Sequence, residues 1–352
     1  MSATAMHQEG PHVVLAEDRD AAEWDAFVQA QQGAPPYHLY GWRRIIRDVF
    51  GRETYYLAAR VAGRIQGVLA VARLKSLLFG DFLVSLPYLN YAGVLATDAH
   101  SARALVESAC TLAGRLGASH LELRHRDGVM LDLPERTDKV SMLLKLPDTS
   151  EALWKSLPSK VRAQVRRPER EGAVAASGGA ELLADFYSVF AANMRDLGTP
   201  VYPKRFFERI LTTFPDSTRV FVVRLGQEPV AGGLVVGHEG TLEIPWASSL
   251  RRANGIGVNM LLYWKVLEYA CERRFSVFDF GRSTVDSGTF RFKKQWGAQP
   301  VQLHWHYWLR DGGEPPRLNP SNPKYAAAIA AWRRLPLFVA NRLGPVLVKN
   351  LP

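Results

Sequence analysis

Apolar positions along the chain switch between the period of two that marks strands and the longer period that marks helices. In the first half, strands are predicted at His12 to Leu15, Tyr55 to Val61 and Ile65 to Leu74, the last two joined by an Ala62-Gly63-Arg64 turn. An extended apolar stretch covers Phe82 to Leu95, and strands follow around Leu121 to Leu123 and Ser141 to Leu146. Helical spacing appears at Glu23 to Gln31, Trp42 to Phe50 and Ser101 to Leu116, where Gly117 supplies a stop. The second half predicts a strand at Ala173 to Ser177 and helices at Glu181 to Leu197 and Lys204 to Phe214. Strands then fall at Arg219 to Leu225, Val230 to His238 and Thr241 to Ser248. The helix Asn259 to Arg273 puts Met260, Trp264, Leu267 and Cys271 on one face and Lys265, Glu268 and Glu272 on the other. A strand at Val277 to Phe280, a helical stretch at Thr289 to Gln295 and a strand at Val301 to Leu309 close the half.

The same order therefore occurs twice: strand, two helices, three antiparallel strands, helix, strand. This order resembles the layout of GNAT-type acyltransferases. It implies an α+β chain of two tandem GNAT-like domains, each a mixed, mainly antiparallel sheet flanked by helices. The expected boundaries are 11–147 and 148–310, with 311–352 a linker and amphipathic tail. A basic helical connector, with Lys160, Arg162, Arg166, Arg167 and Arg170, leads into the second domain; Ser159 is its expected cap and Pro168 its expected kink. The tail carries Trp332, Arg333, Arg334 and Phe338 and is broken by Pro336 and Pro345. Two readings of it stand open, docking back on the protein or an interfacial membrane contact.

Composition narrows the partners. A net charge of +10 favours an anionic one over the alternative of a solvated basic surface with no special partner. The two cysteines, Cys110 and Cys271, have no partner at metal-ligand spacing, which excludes a disulfide scaffold and a zinc site and suits a reducing compartment. The start, Met1 to His12, shows no signal-peptide pattern, so the cytoplasm is the expected location, with a peripheral place at the inner face of the membrane left open. His304 and His306 alternate on one strand without a third ligand, and read as a wet sheet face; no metal is expected.

The most specific segment is Phe278-Asp279-Phe280-Gly281-Arg282-Ser283-Thr284, followed by Phe292-Lys293-Lys294-Gln295-Trp296-Gly297. Its Asp-Phe-Gly triplet has none of the accompanying kinase loops. With Trp246-Ala247-Ser248-Ser249 and the Leu261-Leu262-Tyr263-Trp264 helix core, it resembles the FemAB family of non-ribosomal peptidyl (aminoacyl) transferases. The connector and Trp42 fit the same family. Lys75 to Gly80 and Ser85 to Gly93 look closest to its exosortase (PEP-CTERM) and exopolysaccharide-associated subgroup. The resemblance covers about 12–310 and excludes the tail, and the coiled-coil arm of some members is missing.

Resemblance and residues together set the expected chemistry. Glu243 and Asp279 are the candidate catalytic carboxylates, since an attacking amine needs a base. Arg282 and Lys293 are candidates to hold a carboxylate or phosphate. Trp42, Asn90, Tyr91, Lys160, Arg162, Asn193, Tyr202, Trp246 and Ser248 complete the candidate substrate-binding set, with Asn193 and Tyr202 implied by the position of the acceptor site in GNAT-type domains. Arg252-Ala253-Asn254-Gly255-Ile256-Gly257 fits the phosphate loop of acyl-CoA-binding proteins, with Arg252, Gly255 and Gly257 the cofactor-binding candidates, and a plain turn fits it nearly as well. The donor is accordingly an aminoacyl-tRNA or an acyl-CoA, and the acceptor an amine on a cell-envelope or polysaccharide precursor. The alternatives are N-acetylation of a small molecule and non-catalytic binding of an anionic polymer or nucleic acid.

Overall fold

The computed structural model describes residues 10–76, 79–126, 128–129, 131–316 and 323–351, without the side chains of 323–325. Leu77, Leu78, Pro352 and the first nine residues, which carry parts of the expectations above, lie outside the described residues. The chain forms two units. The first holds the chain up to Arg47 with Gly51–Arg136 and His304–Pro315; the second holds Asp48–Phe50, Thr137–Leu303 and the chain from Pro316.

In the first unit the elements are β1 (His12–Leu15), α1 (Ala21–Gln29), α2 (Gly41–Phe50), β2 (Thr54–Val61), β3 (Arg64–Ser76), β4 (Gly80–Val84), β5 (Leu95–Ala96), α3 (Ala99–Arg115), β6 (His120–His125) and β7 (Glu135–Arg136). Asp98 starts α3 by accepting from the Ser101 amide at 2.8 Å, and Gly117, at φ 70°, ends it. Among the described residues of this unit β4 and β6 are the parallel pair, and the chain between them makes the crossover that parallel pairing needs, through α3.

The second unit begins with β8 (Val140–Lys145), α4 (Ser150–Ser156), α5 (Ser159–Arg170), β9 (Ala173–Gly178), α6 (Leu183–Leu197) and α7 (Lys204–Thr213). It continues with β10 (Thr218–Leu225), β11 (Glu228–His238), β12 (Thr241–Ser249), α8 (Val258–Glu272), β13 (Val277–Ser283), α9 (Gly288–Lys294) and β14 (Gln299–Gln302). The strand β15 (His304–Leu309) precedes the terminal helices α10 (Pro323–Arg333) and α11 (Leu337–Val348). The sheet order is β14-β8-β13-β12-β11-β10-β9, and β12 and β13 are its parallel pair. The α+β layout of two mixed, mainly antiparallel sheets flanked by helices is thus present in both halves.

Strand membership departs from chain order. The strand expected to close the first domain, β8, lies between β13 and β14 in the second sheet. The expected closing strand Val301 to Leu309 is two strands: β14 stays in the second sheet, while β15 pairs with β6 and β7 in the first. Alternating residues specify a strand and its buried face but not its neighbour. The Phe82 to Leu95 stretch is strand over the end of β4 and again at Leu95, the first residue of β5, with a largely buried loop between, in which Leu86 and Tyr88 take positive φ. Ser159 is the first residue of α5 rather than its cap, because Pro158 occupies the cap position. Pro168 lies inside α5, two residues from its end. Near a C-terminus a proline removes one hydrogen bond, the amide that the Gln164 carbonyl would have accepted from, without ending the helix.

The tail docks on its own unit. Arg195 of α6 donates to the Leu335 carbonyl at 3.0 Å, Arg333 donates to the Leu197 carbonyl at 3.3 Å, and Gly344 packs on Val201. Pro336 caps α11, and Pro345 lies inside it without breaking it. Among the described residues no helix is long and apolar enough to cross a membrane.

Candidate active site

The parallel pair β12–β13 stays in register only through Thr241–Val277, Leu242–Phe278 and Glu243–Asp279. Beyond that point each strand bulges against its other neighbour. Four residues of β12, Glu243 to Trp246, face three of β11, Leu234 to Val236, and Asp279 to Arg282 on β13 faces Ser141 to Leu143 on β8. Pro245 cannot give the ladder an amide, and Gly281 takes φ 76°, a conformation that glycine adopts without strain. Two bulges side by side open the sheet. The opening lies at the carboxyl ends of the parallel strands, the end at which the helix between them starts.

Leu242, Ile244, Phe278 and Phe280 belong to one apolar core with the inner face of α8, so Glu243 and Asp279 point to the opposite face. Both are buried, at 1% and 0% exposure. Asp279 Oδ1 accepts from the Ser141 hydroxyl and from the Gly281 amide, each at 2.7 Å. Lys293 of α9, also buried, donates from Nζ to the carbonyls of Gly281 (2.9 Å) and Arg282 (2.8 Å). The bulge is therefore gripped from both ends, by a carboxylate on its amide and an ammonium on its carbonyls. Burial pushes the Lys293 ammonium down to about 8, opposed by the negative charge of Asp279 and Glu243 and reinforced by Arg282. Arg282 is half-buried at the mouth.

The continuation of β12 is tied to α6, where the Asn193 amide donates to Ser248 Oγ at 3.0 Å. Trp246 packs edge-on to Phe206 and Phe207 of α7 at 5.4 and 5.5 Å, and Tyr202 stacks on Phe190, so these rings serve the core around the opening. The glycine-containing segment forms a 3-10 turn, Arg251–Ile256. Gly257, at φ 85°, starts α8, and a Cβ there would sit 3.4 Å from the Gln164 carbonyl oxygen. A Cβ at Gly255 would meet open space, and Arg252 is paired with Glu228 at the surface. Gly257 is thus accounted for by backbone conformation and by the approach of α5. The first-turn amides of α8 keep the anion-attracting character of any helix start. On α5, Lys160 is exposed, while Arg162 reaches the carbonyls of Trp154 and Lys155 at 3.5 and 3.3 Å.

In the first unit, Trp42 is fully buried and donates to the Pro36 carbonyl at 2.9 Å. Tyr91 is buried edge-on to Tyr37, and Asn90 beside it is half-buried. A cavity of about 1350 Å³ opens here, lined among others by His38, Tyr91, Arg103, His125 and Arg126. The reading of His304 and His306 as a wet face is corrected: β15 lies between β6 and β7, so His306 is buried, its Nδ1 3.2 Å from His125 Nδ1, and His304 pairs with Glu135. Burial, with neighbouring histidine charge, pushes His125 down to about 3. Ser141, the hydroxyl donor to Asp279, was not among the expected site residues, because it is contributed by a strand assigned to the other half.

A mixed sheet with one splayed parallel pair, and a helix starting at the mouth of the splay, defines the GNAT-type acyltransferase fold, here in tandem. Residues 158–294 match the family described as "Acetyltransferase (GNAT) domain". The chain is similar in structure to FemX, with a TM-score of 0.61 and 16% identity over 84% of this chain and 96% of that one. It is similar also to the C-terminal domain of a putative lysylphosphatidylglycerol synthetase from Agrobacterium fabrum (TM-score 0.59, 13% identity, 94% and 98% covered). A third similar structure is L-PGS from Bacillus licheniformis (TM-score 0.57, 14% identity, 91% and 98% covered). At such identities the likeness is one of fold. Among curated proteins none matches the sequence.

Proposed function

We propose that the protein transfers an acyl or aminoacyl group from an activated ester or thioester to an amine on a cell-envelope or exopolysaccharide precursor. The observation that carries this reading is the splay of β12 and β13 immediately beyond two buried carboxylates and a buried lysine. In the reaction the amine nitrogen attacks the donor carbonyl, a proton leaves the nitrogen, and the thiol or ribose oxygen departs. Glu243, on β12 at the splay, is assigned the base, and Asp279, whose Oδ1 accepts from the Ser141 hydroxyl and the Gly281 amide, the anchor of the bulge. Asp279 and Lys293 position the bulge, and Lys293 keeps a cation beside the carboxylates. Trp42 and Trp246 are assigned no substrate contact in this reading.

Aminoacyl-tRNA is the donor we favour. The exposed Lys160, Arg166, Arg167 and Arg170 make α5 basic, and α5 lies against the start of α8, at Gly257. The second reading, a CoA thioester held by Arg252, Gly255 and the α8 amides, is supported by the acetyltransferase family match over 158–294. The likeness to FemX and to the synthetase structures supports an envelope precursor as acceptor, and the Ser85 to Gly93 segment is the ground for the exosortase-associated subgroup.

Fluorescence titration of the full chain with tRNA and with coenzyme A separates the donors. The tRNA reading expects binding that weakens steeply with salt and is reduced by Arg166→Gln with Arg167→Gln. Saturable coenzyme A binding lost in Gly255→Val would replace it with the thioester reading, and binding of neither would remove the transferase reading.

A further inference from the structure

The terminal helix α11 has an arrangement opposite to that of a helix serving only its own core. The face turned to the protein carries Ala340, Gly344 and Val348, all buried. The face turned to solvent carries the large apolar residues: Phe338 is 77% exposed, Val346 56%, Leu343 46% and Leu347 41%. At helical spacing these four share one half of the circumference, with exposed Arg342 among them and exposed Arg334 in the preceding turn. Soluble surfaces scatter single apolar residues, whereas a contiguous set on one helix marks an interaction face.

Charge says what covers it. The chain has no Asp or Glu after Glu314, while Arg317, Lys324, Arg333, Arg334, Arg342 and Lys349 follow. An apolar helix face on a segment whose own charged residues are all cationic fits one surface best: acyl chains beneath anionic headgroups. Arg342, within the apolar face, has a stem long enough to lie along it while its guanidinium reaches the headgroups. The helix is already folded and held, by the Arg195 and Arg333 hydrogen bonds and the Gly344–Val201 contact, so binding orders no new segment.

We infer that α11 is a membrane-docking helix that seats the protein on an anionic bilayer surface through Phe338, Leu343, Val346 and Leu347, with Arg334 and Arg342 on the headgroups. This goes beyond the catalytic reading and stands without it. The test is co-sedimentation of the full chain with phosphatidylcholine vesicles, with and without phosphatidylglycerol. Wild type is expected to pellet with the anionic vesicles, weakly with the neutral ones, and less as salt rises. Leu343→Glu with Val346→Glu is expected to weaken partition at least about tenfold, with circular dichroism unchanged because both side chains are exposed. Arg334→Gln with Arg342→Gln is expected to flatten the salt dependence. Wild type that stays in the supernatant with anionic vesicles would overturn the inference, as would a Glu variant that pellets like wild type. A concentration-dependent dimer in sedimentation velocity, dissociated by that same variant, would also overturn it and assign the face to a second copy of the chain.

Discussion

Two carboxylates on neighbouring strands, both out of water, repel each other, and Lys293 is the cation that offsets them. Its folded value of about 8 lies below the ordinary 10.5, so the unfolded chain holds that proton more tightly than the folded one. Stability referred to Lys293 is therefore lowest below pH 8 and rises as pH climbs from 8 to 10.5. The expected outcome is that the urea midpoint of wild type, relative to Lys293→Met, increases over that range, which parallel melts at each pH would check. Activity moves the other way: loss of the ammonium removes the charge beside the carboxylates, so kcat/KM is expected to fall above about pH 8, and the limb should be absent in Lys293→Arg. Ser141→Ala deletes a donor to a buried carboxylate and is expected to cost about 1–3 kcal/mol in denaturant unfolding. Asp279, Lys293 and Arg282 were legible because they crowd into one short segment. Ser141, 138 positions away from Asp279, carried no such signal.

At the scale of elements, β12, α8 and β13 were readable because a strand, a glycine-closed turn and a two-faced helix follow one another without interruption. The bulges were not, since Pro245 and Gly281 are compatible with several local geometries until the neighbouring ladders are known. The two glycines before α8 look alike in sequence yet differ in physical demand. Gly257→Ala introduces a Cβ at φ 85° and near the Gln164 carbonyl, and is expected to destabilise the fold by about 1–2 kcal/mol. Gly255→Ala faces open space and is expected to leave the thermal midpoint unchanged. A reversed order of these two effects in calorimetry would show that the start of α8 is wrongly described.

For the whole molecule, the repeat of element order revealed the tandem fold but misplaced two strands, because hydrophobic alternation says which face is buried and not which strand lies beside it. Each sheet consequently contains a strand that sequence order gives to the other half, β8 in the second and β15 in the first. A fragment ending at residue 147 would lack β15, leaving β6 without a neighbour on that side, and is expected to show no cooperative unfolding. Buried histidines such as His125 and His306, 181 positions apart, were invisible for the same reason. Glu243, as the base at the splay, is the central residue of the proposed reaction. Its direct test is single-turnover amide formation by full-length wild type and Glu243→Gln, with the donor identified by titration and matched circular dichroism. Glu243→Gln is expected to lose about 10²–10⁴ in the rate of the chemical step with donor affinity retained; an unchanged rate would contradict the role of Glu243 as base.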